Sequence, residues 1–212
     1  MTTLIFGSPV LPASAQEPTV TIVQNCTDWG SNGWCHTSAD MHISMPGGTV
    51  TCWPLACDVW AGNGIWAVNY TATDNTTGLS TSGSVDLKVD TLPPWANIQV
   101  PGPTGSNGWF KTTPVVIPFN AYDYFSGLNT VRASPDGGTT WQTWTQSSFT
   151  LLGNGTYLTP GLSLSADGQY VIPYAVDDVS GWSRSYPGVS VKIDTTPPVI
   201  TPSISGTLGS NG

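Results

Sequence analysis

An internal repeat limits the fold of this 212-residue chain more than any other feature of the sequence. Asp-Thr-Leu-Pro-Pro at residues 90–94 returns 104 residues later as Asp-Thr-Thr-Pro-Pro at 194–198. Proline cannot donate a hydrogen bond to a strand ladder, so each Pro-Pro pair ends a strand and stiffens the link to the next unit. The repeat predicts two domains, at 17–94 and 95–198, and a segment, 199–212, that opens a further unit.

Two turn patterns recur within these units. Gly-Ser-Asn-Gly occurs at 30–33, 105–108 and 209–212, and Trp follows the first two copies. The pattern Ala-x-Asp-x-x-(Ser/Thr)-Gly occurs at 72–78, 121–127 and 175–181. Glycine, asparagine and aspartate at such spacings are typical of tight turns between strands.

Between the turns, hydrophobic residues alternate with other residues. They alternate over 115–119 in the second unit and over 41–45 at the matching positions of the first. A period of two places every second side chain on one buried face of a strand. We find no amphipathic stretch of useful length with a helical period. The sequence therefore predicts an all-β fold of two tandem β-sandwich domains.

The charge balance excludes nucleic-acid binding. The chain has 13 acidic and 5 basic residues, a formal net charge of −8, and phosphate neutralisation needs clustered cations. Charged residues make up 8% of the chain, whereas hydrophobic residues make up 39%, which is not the composition of a disordered protein. No run approaches the roughly 18 apolar residues of a transmembrane helix.

The linker, the two turn patterns and Asp-Gly-Gly-Thr-Thr-Trp at 136–141 together resemble the Ig-like (immunoglobulin or fibronectin-III-like) repeats of bacterial surface proteins. Such repeats occur in tandem in large exported proteins, as stalks, adhesive modules or spacers. The resemblance implies Ig-like sandwiches and an extracellular or cell-surface location. The first unit departs from the pattern because it lacks the Asp-Gly-Gly hairpin and is shorter, so roughly two strands are expected to be missing or reshaped there.

All four cysteines lie in the shorter first unit, at Cys26, Cys35, Cys52 and Cys57. A small domain buries less of its surface and more often needs covalent cross-links, and an even number in an exported chain indicates disulfides. Three pairings are open. We favour Cys26–Cys35 with Cys52–Cys57, because Cys26 and Cys35 flank a turn. A zinc site is disfavoured, since the chain has no Cys-x-x-Cys spacing and two histidines.

The sequence predicts no catalytic residue. Residues 134–141 match the Asp-box hairpin of sialidase-like propellers, but this pattern occurs once, so we interpret it as a structural turn. Glycoside hydrolysis needs two facing carboxylates, whereas Glu17 is the one glutamate and most aspartates lie in turns or linkers. Alternation places His42 on the solvent side of its strand, and no nucleophile elbow accompanies it. We therefore expect a protein that is not an enzyme.

Calcium is the one cofactor that the sequence leaves open. Acidic turns at the ends of β-sandwiches can share a hard cation among carboxylate and carbonyl oxygens. The candidates are Asp177 and Asp178 with Asp194, or Asp74 with Asp90, and no EF-hand pattern is present. With calcium set aside, no cofactor is expected.

Exposed tryptophans among Asn and Thr residues indicate a carbohydrate-stacking surface, because a planar ring covers the apolar face of a sugar. The candidates are Trp141, Trp144 and Trp182. Trp141 and Trp144 are an odd number of residues apart, so a regular strand exposes one and buries the other. Trp34 and Trp109 follow the repeated turn and are expected to pack where strands begin.

The two ends of the chain suggest processing and assembly. Ala-x-Ala at 13–15 marks 1–16 as the remnant of an export signal. The segment 199–212 is either the first strand of a further repeat or a donor strand that completes another subunit through Val199, Ile200 and Ile204.

These observations favour a non-enzymatic extracellular or cell-surface protein with a structural or adhesive role. Its partner would be protein, including further copies of itself in a filament built by strand addition. The alternative is a carbohydrate-binding accessory module of a larger secreted enzyme.

Overall fold

A computed structural model describes residues 18–203, 205, 206 and 209, so the proposed export signal and Ile204 lie outside the described residues. The regular structure is β-strand except for three short 3-10 turns. Within the described part, no helix is long and apolar enough to cross a membrane. The all-β, sandwich-like fold class predicted from the sequence is confirmed.

The chain divides into two compact units. The first comprises Met1–Pro93 with the loops Phe125–Gly127 and Val179–Trp182, and the second comprises the remaining residues from Pro94 onward. The division after Pro93 lies one residue before the boundary that the repeat predicts. The assignment of the two loops to the first unit was not predicted.

From residue 18 onward, the first unit contains seven strands in two sheets. They are β1 (Thr21–Asn25), β2 (Trp34–Cys35), β3 (Ala39–Ser44), β4 (Gly48–Trp53), β5 (Asp58–Ala61), β6 (Gly64–Asp74) and β7 (Ser80–Val89). One sheet has the order β1-β3-β5 and the other β2-β7-β6-β4. Both sheets contribute to a single core, in which Met41 and Ile43 of β3 lie in one cluster with Val68 of β6 and Leu87 of β7.

The second unit repeats this plan with eleven strands. They are β8 (Trp95–Ile98), β9 (Trp109–Phe110), β10 (Val115–Ile117), β11 (Phe119–Tyr122), β12 (Leu128–Ala133), β13 (Gln142–Thr145), β14 (Thr150–Gly153), β15 (Thr156–Leu158), β16 (Leu162–Leu164), β17 (Gly168–Asp178) and β18 (Ser183–Ile193). The sheet β13-β12-β17-β18-β9 packs against the smaller sheets β14-β15-β11-β8 and β10-β16. The alternating residues Val115, Ile117 and Phe119 are all buried in the core between them, as predicted.

The two units differ by a block of three strands, and β10 and β11 of the second unit together correspond to the single strand β3 of the first. In the first unit, β4 pairs with β6 and β5 pairs with β3; in the second, β12 pairs with β17 and β16 pairs with β10. The strands β13, β14 and β15 have no counterpart in the described part of the first unit. The first unit was expected to be shorter, and the difference is three strands where roughly two were expected.

The repeated Gly-Ser-Asn-Gly turn has the same geometry in both units. Asn32 and Gly33 have φ angles of 56° and 73°, and Asn107 and Gly108 have 55° and 78°. Two successive left-handed residues are accepted by Asn-Gly and by few other pairs. The turn delivers the following tryptophan into a strand, and Trp34 is buried there at the start of β2.

Each Asp-Thr-x-Pro-Pro linker begins with a hydrogen-bonded clamp within its own unit. Asn63 Oδ1 accepts a hydrogen bond from the Thr91 amide at 2.8 Å. At the equivalent position, Asp167 Oδ1 accepts from the amide and hydroxyl of Thr195 at 2.9 and 2.8 Å. Asp167 Oδ2 also accepts from the Thr196 hydroxyl. The Thr195 amide, then the two hydroxyls, lower the pKa of the Asp167 carboxyl.

The disulfide pairing that the sequence favours is confirmed. Cys26 bonds to Cys35 and Cys52 bonds to Cys57. Cys35 is fully buried in the core of the first unit, and the other three cysteines are half-buried. The second bridge closes the loop between β4 and β5, and that loop begins directly after Trp53.

Candidate functional site

The three predicted stacking tryptophans have three different environments. Trp144 is 6% exposed, and its ring packs against Phe119 in the core of the second unit, so the prediction is wrong for Trp144. Trp182 is half-buried, stacks on His36 with ring centroids 4.4 Å apart and donates to the Asp90 carbonyl oxygen, so His36 covers one face of its ring. Trp141 is 44% exposed. The expected division between Trp141 and Trp144 is confirmed.

The predicted calcium ligands do not converge. Asp177 and Asp178 are neighbours near the end of β17, so their side chains point to opposite faces of the sheet. Asp194 follows the end of β18 that pairs with Gly168, whereas Asp177 pairs with Ser183 at the other end of the same hairpin. Nine residues of strand, about 30 Å, separate the two positions. This set of three carboxylates therefore cannot share one ion.

Asp177 is held by contacts with residues outside this set. Asp177 accepts a hydrogen bond from the Thr130 hydroxyl at 2.7 Å and lies 3.6 Å from Arg132. The carboxylate oxygens of Asp178 lie within 4.8 Å of those of Asp123, a neighbour that the sequence did not indicate.

The alternative calcium pair also lies apart. Asp74 is at the end of β6 that pairs with Gly48, whereas Asp90 follows the end of β7 that pairs with Gly64. Asp74 instead accepts from the amides of Thr77 and Thr76, which lower the pKa of its carboxyl.

The Asp-box match forms the structural turn that was predicted. The Asp136 carboxylate accepts from the Thr140 amide, the Ser134 hydroxyl and the Thr140 hydroxyl, each at 2.7 Å. These bonds, led by that of the Thr140 amide, lower the pKa of Asp136 to about 2. The same turn accepts a hydrogen bond from the Trp141 indole through the Gly138 carbonyl oxygen, at 3.1 Å. The hairpin thus fixes the orientation of the exposed Trp141 ring.

The predicted donor strand is exposed in the described residues. Val199 and Ile200 are 89% and 86% exposed and belong to no strand. Each unit already holds its own first strand, because β1 pairs with β3 and β8 pairs with β11. A donor strand would therefore have to add to a sheet edge rather than fill a vacant position.

An open aromatic side chain beside a cleft belongs to Trp53, a residue that the sequence patterns above did not indicate as a binding residue. Trp53 ends β4 and is 72% exposed. It pairs across the strands with Asn69 of β6, while Thr51 pairs with Thr71, and Thr71 pairs with Ser82 of β7. All five side chains point outward from the sheet. We call this surface, formed by Thr51, Trp53, Asn69, Thr71 and Ser82, the Trp53 face.

A shallow cleft of about 480 Å³ lies on the Trp53 face, beside the indole ring. Hydroxyl and amide groups line it, and no charged side chain does. The hydroxyls are ordered by local bonds: Thr71 and Ser82 are 2.8 Å apart, and the Thr51 hydroxyl donates to the Thr71 carbonyl oxygen. An aromatic wall over a floor of aligned hydroxyls presents both surfaces that a neutral sugar ring requires.

The sequence contains the signal that would have found this face. In Thr49-Val-Thr-Cys-Trp53, alternation puts Val50 and Cys52 on the core side, and Thr49, Thr51 and Trp53 on the other side. Val50 and Cys52 do pack against the core of the first unit. Alternation alone therefore marks Trp53 as a candidate for binding rather than for core packing.

No protein-family model and no curated protein matches this chain. The site must therefore be interpreted from its own chemistry.

Proposed function

We propose that the chain is a non-enzymatic extracellular adhesive protein that binds a neutral polysaccharide on the Trp53 face. The observation that carries the proposal is the 72% exposure of Trp53 beside an uncharged cleft of aligned hydroxyls. The exposed indole can stack on the apolar face of a pyranose ring, and the hydroxyls around that ring can bond to the polar groups of the cleft. Two disulfides support the extracellular location, since such bonds persist in oxidising compartments.

The sheet geometry supports a polymer rather than a single sugar. Successive outward residues of a strand lie about 6.7 Å apart, and neighbouring strands lie about 4.8 Å apart. Trp53, Asn69 and Ser84 form one row across β4, β6 and β7, and Thr51, Thr71 and Ser82 form the next row. An extended chain can therefore meet the ring and several polar groups in sequence.

The test is binding of the full chain to a panel of neutral polysaccharides, such as cellulose, xylan and mannan, by pull-down and affinity gel electrophoresis. Trp53→Ala should weaken binding about tenfold, and Trp53→Phe should keep part of it. Trp60→Ala is the matched control, because Trp60 is 74% exposed on the other sheet of the same unit, beside Asp40. Equal losses in the two alanine variants, or no binding to any neutral polymer, would overturn the proposal.

Self-association is a second role, supported by two exposed apolar segments. The edge strand β14 carries the exposed side chains of Leu151 and Leu152, and Val199 and Ile200 are exposed in a segment outside the strands. We propose that the segment at 199–200 of one copy adds to β14 of another. Light scattering over a concentration series should then show oligomers that disappear in Leu151→Thr. A full chain that stays monomeric throughout contradicts self-association.

A further inference from the structure

A second cleft lies on the equivalent sheet of the second unit, and its chemistry differs. Arg132, Trp141, Thr143, Ala175 and Ser185 line a volume of about 410 Å³. Thr143, Arg132, Ala175 and Ser185 form one continuous row across β13, β12, β17 and β18. The row spans about 14 Å, from three strand spacings of about 4.8 Å. We call this surface the Arg132 cleft.

The Arg132 cleft and the Trp53 face occupy the same place in the repeat. Ala175 lies 104 residues after Thr71, the displacement that relates the two linkers. Thr71 pairs with Thr51 on one side and Ser82 on the other, as Ala175 pairs with Arg132 and Ser185. The hydroxyl of β7 is thus retained in β18, while the threonine of β4 is replaced by an arginine.

Arg132 is held in place by two contacts that do not use all of its N–H donors. Its guanidinium carbon lies 5.9 Å from the centre of the Trp141 ring, and one of its nitrogens is 3.6 Å from Asp177 Oδ1. Thr130 in turn fixes Asp177 by a 2.7 Å hydrogen bond. A guanidinium has five N–H donors in a planar fork, and this one long contact leaves donors for a ligand, since the Arg132 side chain is 40% exposed.

We infer that the Arg132 cleft binds a carboxylate-bearing saccharide, such as a uronic acid unit of a polysaccharide. The guanidinium fork would take the carboxylate, the fixed Trp141 ring would cover the apolar face of the sugar, and Thr143 and Ser185 would bind its hydroxyls. The negative net charge of the chain does not prevent this, because separated surface charges are screened beyond about 8 Å at physiological ionic strength. The inference concerns a different unit and a different ligand from those of the Trp53 face.

The experiment compares polygalacturonate with its fully methyl-esterified form, which keeps the sugar backbone and removes the charge. Binding of the full chain is measured by isothermal titration calorimetry. The acid form should bind more tightly, and Arg132→Gln should lower that affinity about tenfold with little effect on the ester. Arg132→Lys keeps the charge but loses the fork, so it should lose most of the affinity as well.

Two further variants separate the cleft from general charge effects. Lys192→Gln removes one cation that lies over another ring of the same unit, 5.8 Å from the centre of Trp109, and should bind as the parent does. Asp177→Asn removes the carboxylate that competes for Arg132 and should bind the acid form several-fold more tightly. Equal affinity for acid and ester, or an equal loss in Lys192→Gln, would overturn the inference. Trp53→Ala should leave uronate binding unchanged. The experiment can therefore refute uronate binding in the Arg132 cleft without bearing on neutral polysaccharide binding at the Trp53 face.

Discussion

Removing the disulfides one at a time should separate stability from function in the first unit. Cys26 and Cys35 are nine residues apart in the sequence, and Cys52 and Cys57 are five apart. Loss of loop-closure entropy from the unfolded chain gives about 2.7 kcal/mol for the first bridge and about 2.2 kcal/mol for the second. Cys35 is also fully buried, so truncation to alanine leaves a small cavity that costs roughly 1 kcal/mol more. We expect losses of about 3–4 and about 2 kcal/mol.

The assay is urea unfolding of the Cys26→Ala/Cys35→Ala and Cys52→Ala/Cys57→Ala variants, together with amide exchange of β3 and β6. The midpoint should fall in both variants, more for the first. Reduction of the parent should lower the midpoint by at least as much as the larger single loss. A variant lacking all four cysteines provides the control, because its midpoint should not respond to reductant.

The two disulfides should affect polysaccharide binding in the reverse order of their effects on stability. The Cys52–Cys57 bridge closes the loop that begins directly after Trp53, so its loss frees the end of β4 and the position of the ring. Neutral polysaccharide binding should therefore weaken in Cys52→Ala/Cys57→Ala at temperatures where the variant is fully folded. In Cys26→Ala/Cys35→Ala it should persist under the same conditions. A larger stability loss at Cys52–Cys57, or equal binding by both variants, would refute this reasoning.

Two further predictions concern carboxylates in turns. The Thr140 amide and two hydroxyls hold the folded pKa of Asp136 at about 2, below its usual value of 3.8, so this contribution is present above pH 4 and is lost as the pH falls through 2. Amide exchange of Thr140 followed by NMR should show that midpoint, and a midpoint near 4 would contradict the bonding described. Asp167→Ala should speed amide exchange at Thr195 toward that of an unprotected amide, while Thr91, held by Asn63 in the first unit, stays unchanged. Equal changes at both threonines would show that the clamp is not local.

Features set by neighbours in the sequence could be predicted. The Asn-Gly turns, the Pro-Pro linkers and the alternation of 115–119 depend on one or two residues each, and all appear where expected. The Cys26–Cys35 pairing belongs to this group, because a short turn joins the two cysteines. The fold class follows from these local features together.

Features set by strand register could not be predicted. Alternation shows that Trp141 and Trp144 point to opposite sides, but it does not show which side faces the core. In the structure, Trp144 pairs with Val131, which is fully buried, so Trp144 is the one that faces the core. The predicted grouping of Asp177 with Asp194 is wrong for a related reason, since the two residues are separated by the full length of a hairpin whose register was unknown.

The strands β13 to β15 give the two equivalent clefts different surroundings. In the first unit, β4 itself supplies the aromatic ring, Trp53, and β4 is a sheet edge, so the cleft beside it opens directly to solvent. In the second unit, β13 pairs with β12 and covers that edge, and Trp141 arrives on the hairpin that leads into β13.

Because β13 covers this edge, the residue at the centre of the cleft, Arg132, has different surroundings from Thr51. Arg132 lies between Trp141 on one side and Asp177 on the other, so its charge is oriented and partly shielded from water. Thr51, at the equivalent position of the uncovered edge, offers a hydroxyl that donates to its own sheet. In both clefts the floor residues are small or carry hydroxyls, and the residue on β4 or β12 determines whether the cleft holds a charge. If both proposals hold, the presence of β13 to β15 accounts for the different ligand class of the second unit, because the row of floor residues otherwise occupies equivalent positions in both clefts.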